Sequence, residues 1–172
     1  MIRTFRSRSP HIPASAFVAP GAVVLGDVTL GEDASIWYQC VIRGDVHSIQ
    51  IGARTNVQDL TMVHVTSGRF ATRIGDDCTI GHRAIIHGCT VGDRCLIGMG
   101  AILLDGVEVG DDCIIGAGAV VSPGTRIPPR SMVLGLPGRV VRTLRDDELA
   151  ELPRSAERYV SLSREHAALG GP

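Results

Sequence analysis

Residues 91–127 read VGDRCLIGMGAILLDGVEVGDDCIIGAGAVVSPGTRI, and every sixth residue is aliphatic: Val91, Ile97, Leu103, Val109, Ile115, Val121 and Ile127. A period of six fits neither the turn of an α-helix nor a hairpin meander. It is the repeat of a parallel β-helix, in which three hexads close one triangular coil. Working outward toward the N-terminus, the register continues in three runs: Ile74, Ile80 and Ile86; Ile51, Val57 and Val63; and Ile12, Val18, Val24, Leu30, Ile36 and Ile42. About six coils fit between Ile12 and Ile127.

A second position supports this register. Four residues after many of the aliphatic ones stands a small side chain, as at Ala16, Ala22, Ala34, Ala84, Ala101 and Ala119, and Cys40, Cys78, Cys95 and Cys113 share the phase. Cysteine packs as a small hydrophobe, so these four read as inward-facing structural thiols. Cys89 is out of phase and receives no role. Glycine follows the aliphatic residue at positions such as Gly31, Gly52, Gly81 and Gly98, as suits a chain that turns every few residues.

The 172 residues are 44% hydrophobic but only 3% aromatic, which a narrow aliphatic prism requires because large rings do not fit inside it. With 17 Lys plus Arg against 18 Asp plus Glu, the net charge of −1 lacks the basic footprint of a nucleic-acid binder. Aromatic stacking platforms for single strands are missing too. The hydrophobicity argues against disorder. No apolar run approaches the roughly 20 residues of a membrane span. The Arg-bearing stretch Met1–Ser9 lacks the apolar segment of a secretory signal. The expectation is a cytoplasmic chain with neither nucleic-acid nor membrane partners. Five cysteines without CxxC spacing signal neither a disulfide framework nor a cysteine zinc cluster.

Three units follow: an N-terminal segment over 1–11, a hexapeptide-repeat β-helix over 12–130, and a linker with a C-terminal helix over 131–172. In the last, Leu149, Leu152, Ala156, Tyr159, Val160 and Leu162 recur at helical spacing, so the helix is expected to pack along the prism. Pro153 breaks it or begins a second helix. His11 and His166 read as exposed turn histidines without function.

The chemistry collects where the register slips. Nine residues separate Ile42 from Ile51, eleven separate Val63 from Ile74 and five separate Ile86 from Val91. Residues three hexads apart stack one coil above another, so Arg43, His64 and His87 fall in one column. His82, the third residue of hexad Ile80, lies one face away, with Asp59 one coil before it and Gln58 adjoining. Two edges, His64 with His87 and Gln58 with His82, do not easily converge within one prism, but they meet across a rotationally symmetric interface. This predicts a cyclic homo-oligomer, most simply a homotrimer, with a three-histidine metal site at each boundary. Three imidazoles and an open position form the ligand set of a catalytic zinc site. Iron or cobalt also suits three imidazoles.

The stretches IRGD at 42–45, NVQDLTMVH at 56–64 and GHRAIIH at 81–87, set in hexapeptide repeats, resemble the gamma-class carbonic anhydrases and their bacterial relatives. The resemblance implies an all-β, left-handed parallel β-helix with a C-terminal α-helix. It also implies reversible hydration of CO2 to bicarbonate by metal-bound hydroxide. His64, His82 and His87 would be the zinc ligands, with His82 supplied by the neighbouring subunit. Gln58 would hydrogen-bond the metal-bound water, and Arg43 and Asp45 would form an interface pair and help hold bicarbonate. Asn56 and Asp59 match positions that orient the ligands, and Tyr159 matches a tyrosine lining the pocket.

The chain departs from the family pattern at Val46, where a glutamate is expected, across the acid-free segment 66–73, and at Ser161, where an asparagine is expected. His47 lies beside the missing glutamate and reads either as a proton carrier or as an exposed turn histidine. Two rivals share the fold: a metal-dependent acyl-CoA thioesterase or hexapeptide acyltransferase, and a catalytically silent metal-binding scaffold.

Overall fold

In the computed structural model, which describes residues 1–169, the hexads wind into a three-faced parallel β-solenoid closed by a hairpin and flanked by one helix. From Val24 to Ile127 every aliphatic residue of the register is buried, whereas Ile12 and Val18 are only partly buried. Cys40, Cys78, Cys95 and Cys113 line the same core. So does Cys89, which fills the corner where the register runs one residue short before Val91. Its burial pushes the thiol up to about 12, so it is an inert packing group.

The first face carries the front half of Val41–Ile51, then Met62–His64, Ile85–His87, Ile102–Leu103 and Val120–Val121, all paired in parallel. The second carries the rear half of Val41–Ile51, then Thr72–Ile74, Thr90–Val91, Glu108–Val109 and Arg126–Ile127. The third runs from Phe17–Val18 through Ser35–Ile36, Asn56–Val57, Thr79–Ile80, Leu96–Ile97 and Ile114–Ile115 to Ser131–Gly135. Val23–Leu30 and Val41–Ile51 pair along both halves, so each belongs to the first and second faces together. They pass so closely that a Cβ on Gly26, whose φ is +82°, would collide with the Gly44 carbonyl.

Alternation along each strand turns one residue in and the next out, which gives the three faces different outer surfaces. Outside the first face stand Val41, Met62, Ile85, Ile102 and Val120, partly or fully exposed and all apolar. Outside the second stand Gln50, Arg73, Thr90, Glu108 and Arg126, all exposed. The third is covered by the helix, so its outward Ser35, Asn56 and Thr79 are buried.

The segment between hexads and helix, expected as a linker, continues the register for one more hexad. Val133 is buried and its strand pairs in parallel with Ile114–Ile115 before turning into an antiparallel hairpin with Gly138–Thr143. The N-terminal segment is likewise tied in, with Ile2 paired to Val24 and His11 to Thr29.

The helix Asp146–Ala168 is uninterrupted, correcting the expected break at Pro153. Proline costs a helix interior about 3 kcal/mol, but Leu152, Ser155 and Ala156 are buried on either side of it, and that packing keeps the helix continuous. The Glu148 carboxylate accepts the Arg145 backbone N–H at 2.9 Å and closes the N-terminus. Leu162 faces solvent, and Ser163 is buried in its stead. His166 is not an exposed turn residue either: it lies in the last helical turn, shares a hydrogen bond of 2.9 Å with the Tyr38 hydroxyl and packs 4.9 Å from Trp37. Phe17, Trp37, Tyr38 and Tyr159 gather there, outside the prism. No helix among the described residues is long and apolar enough to cross a membrane.

Candidate metal centre

The stacking expected from the hexad count is present. His87 and His64 are direct partners across adjacent coils, and the Ile42–Val63 pairing sets Arg43 beside His64. The two imidazoles face each other, with Nδ1 of His64 3.1 Å from Nε2 of His87. Their other nitrogens are engaged: Nε2 of His64 lies 3.0 Å from Asp45 Oδ1, and Nδ1 of His87 lies 2.7 Å from Asp105 Oδ1. Carboxylates only accept. A neutral ring that gives its one proton to its aspartate leaves a lone pair on the nitrogen that faces the other ring.

Two lone pairs opposed at 3.1 Å repel unless a cation lies between them. The separation also suits two nitrogens bound to one metal ion at about 2.0–2.1 Å, so the two imidazoles fit a shared cation. His82 and Asp59 stack as counted, with Nδ1 2.8 Å from Oδ2, but on the other edge of the first face. Among the described residues no group of three His, Cys, Asp or Glu side chains is placed to hold a metal within one chain. The chain thus carries a pair and a single imidazole on opposite borders of one face.

Burial alone would raise Asp45, but hydrogen bonds from Arg43 and His64 outweigh it and hold this carboxyl below the usual carboxylate value. His64 is held below the usual histidine value by burial, with the Arg43 charge adding and Asp45 opposing. Arg43 donates to Asp45 at 2.6 Å. Arg43 and Asp45, two residues apart on one strand, thus meet within the chain.

Gln58 is buried beside the other edge and is held by a chain of polar groups. Its amide donates to Asn56 Oδ1 at 3.1 Å, Asn56 donates to Thr79 Oγ1 at 3.0 Å, and Thr79 meets Ser155 of the helix at 3.0 Å. Tyr159 stands 5.5 Å from Trp37, its phenol raised by burial and by the Asp59 charge. Val46 is exposed. His47 lines a cleft of about 490 Å³ that Asp45 also borders, together with Arg6, Arg8, Ser48 and Ser67. Its Nδ1 accepts the Ser48 backbone N–H at 2.8 Å.

Sequence reasoning missed Asp105, Thr66, Thr79 and Ser155. Asp105 was within reach of the count: it is the third residue of hexad Leu103, one coil beyond His87. Thr66 Oγ1 donates to Asp105 Oδ2 at 2.7 Å from the loop that makes the register slip after Val63. Ser155 carried no signal, since only docking of the helix brings it to Thr79.

Residues 71–104 and 88–123 match the family model for the bacterial transferase hexapeptide (six repeats), which places the chain among hexapeptide-repeat proteins. A solved hexapeptide transferase family protein from Anaplasma phagocytophilum superposes with a TM-score of 0.92 at 37% identity, covering 95% of this chain and 96% of its own. A carbonic anhydrase of Geobacillus kaustophilus is 43% identical over 169 residues, 98% of this chain and 92% of its own. Gamma carbonic anhydrase 2, mitochondrial, of Arabidopsis thaliana is 47% identical over 166 residues, 94% of this chain, though the chain spans only 60% of that relative's length. The chain belongs to the gamma carbonic anhydrase family.

Proposed function

We propose that the protein is a zinc-dependent carbonic anhydrase that interconverts CO2 and bicarbonate at a centre shared between subunits. The observation that carries this reading is the facing of His64 Nδ1 and His87 Nε2 at 3.1 Å, with a carboxylate behind each ring. His64 and His87 of one chain and His82 of its neighbour would hold the ion. When bound, it would acidify a water toward neutral pH and so supply the nucleophile for CO2.

The chain's own groups do the rest. Gln58, its amide nitrogen anchored on Asn56, holds and orients the attacking water. Arg43 spends one donor on Asp45 and offers the remaining guanidinium N–H groups to the bicarbonate oxygens. Asp45 and Asp59 keep His64 and His82 in the tautomer that exposes the ligating nitrogen. Tyr159 bounds the pocket from the helix. With Val46 and the acid-free segment 66–73 nearby, the released proton passes to buffer.

A homotrimer is supported by the three outer surfaces. The second face is polar and the third is covered, while the first is apolar and is bordered by both half-sites. Rotation about a three-fold axis brings the His82 edge of one chain to the His64 and His87 edge of the next.

The test is metal analysis of protein purified without added zinc, followed by CO2 hydration assays of wild type and His87→Ala. One metal per chain and hydration that rises with buffer concentration are expected, both lost in the variant. Protein that carries no metal would sink the reading. The Anaplasma relative is described as a transferase, and the competing activity on this shared fold is acyl-CoA chemistry. Release of free thiol from acyl-CoA esters by the same preparation, with no CO2 hydration, would establish that instead.

A further inference from the structure

Each of the three histidines has one carboxylate behind it: Asp45 for His64, Asp59 for His82 and Asp105 for His87, at 3.0, 2.8 and 2.7 Å. Like Asp45, whose oxygens are shared between His64 and Arg43, Asp105 has both carboxylate oxygens engaged. Its two oxygens are divided between two donors, His87 Nδ1 on Oδ1 and Thr66 Oγ1 on Oδ2. Thr66 is itself fixed, because its backbone N–H donates to the Phe70 carbonyl at 3.0 Å and the Phe70 N–H returns to the Thr66 carbonyl at 3.2 Å. Behind Asp105, the Gly106 N–H donates to the Gly88 carbonyl at 2.8 Å, which locks the main chain of Asp105 to the coil carrying His87.

Gly88 completes the arrangement. A Cβ there would collide with Asp105 Oδ1, the very oxygen that accepts from His87, and would crowd Phe70. Its φ of +56° adds a backbone reason for glycine. The loop from Thr66 to Phe70, the excursion that breaks the hexad register, thus packs against Asp105 and clamps it.

We infer that Asp105, anchored by Thr66 and given room by Gly88, is the positioning residue for His87: it holds the proton on Nδ1 and turns the Nε2 lone pair toward His64. An imidazole with a free choice of tautomer places its proton on either nitrogen. An anionic acceptor held at 2.7 Å from Nδ1 removes that choice and fixes the ring plane. The metal half of this inference rests on the carbonic anhydrase reading; the tautomer half does not.

Two measurements keep the two apart. In metal-free protein, long-range proton–nitrogen correlation spectra report which His87 nitrogen bears the proton. Wild type is expected to show Nδ1–H, and Asp105→Ala a mixture with substantial Nε2–H. Competition with a chelator for zinc alone then gives affinity, expected to fall about 10- to 100-fold in Asp105→Ala and less in Thr66→Val and Asp105→Asn, which keep an acceptor near Nδ1. Trimer mass and far-ultraviolet circular dichroism check the fold. If Asp105→Ala does not fold, Asp105→Ser, whose shorter side chain falls out of reach of Nδ1, decides by the same two readouts. An unchanged tautomer together with zinc affinity within two-fold of wild type in folded Asp105→Ala or Asp105→Ser overturns the inference. Wild type that binds no zinc, yet loses the Nδ1–H tautomer on substitution, overturns the carbonic anhydrase reading and leaves the role of Asp105 standing.

Discussion

His64 is pressed from two sides. Burial and the Arg43 guanidinium disfavour its protonated form, and Asp45 only partly offsets them, so the ring titrates below its usual 6.5. A depressed histidine favours the fold above 6.5 and loses that contribution as the pH drops through 6.5 toward the lower folded value. Asp45 and Asp105 are depressed as well, the latter because hydrogen bonds from Thr66 and His87 outweigh its burial. Their contribution is present above the ordinary carboxylate value of 3.8 and disappears as the pH falls below it. Metal-free protein is therefore expected to lose thermal stability in two steps on acidification. The first step should be smaller in His64→Gln, as scanning calorimetry from about pH 7.5 to pH 3 would read. Equal midpoints for both proteins across the upper step would contradict this account. At this scale the sequence named the three imidazoles through their spacing, but the carboxylate behind His87 depends on how close two coils approach at Gly88.

The turns between coils show what elements add. Asp33, Arg54, Asp77, Arg94, Asp112 and Arg130 occupy equivalent corners with positive φ, and their charges alternate along the prism. Arg54 pairs with Asp77 and Arg94 with Asp112 through two hydrogen bonds each. The two end members are taken by the helix, Asp33 by Arg164 and Arg130 by Asp146. The helix starts from the hairpin on the last coil and lies antiparallel to the climb of the coils. Exposed pairs contribute only about 0.2–1 kcal/mol each, so the ladder selects register more than it stabilises. The buried chain from Gln58 through Asn56 and Thr79 to Ser155 weighs more, because stranding one of its members costs about 1–3 kcal/mol. Thr79→Val is accordingly expected to lower the urea midpoint clearly and Arg94→Ala only slightly. The opposite order would show that the helix is held mainly by charge. Periodicity located the helix and its apolar spacing, but Pro153 misled it, since local propensity says nothing of the burial of Leu152 and Ala156.

Over the whole molecule, the contrast between the three outer surfaces governs assembly. Ile85 stands exposed in the middle of the apolar first face, flanked on the same strand order by Met62 and Ile102. Ile85→Asp keeps every proposed ligand, yet it is expected to shift the protein to monomer in sedimentation and to remove zinc binding with it. A variant that stays trimeric would remove this face from the interface. The hexad period by itself determined the solenoid, its aliphatic interior, the inward cysteines and the stacking of His64 on His87, because each of these follows from counting along a regular repeat. Only the tertiary structure decided that the segment after Arg130 is one more strand and a hairpin, that Arg43 and Asp45 close on each other, and that Asp105 and Ser155 join the working groups. Those outcomes depend on corners, loop excursions and helix docking, where the distance between side chains is set by packing in three dimensions and leaves no period in the sequence.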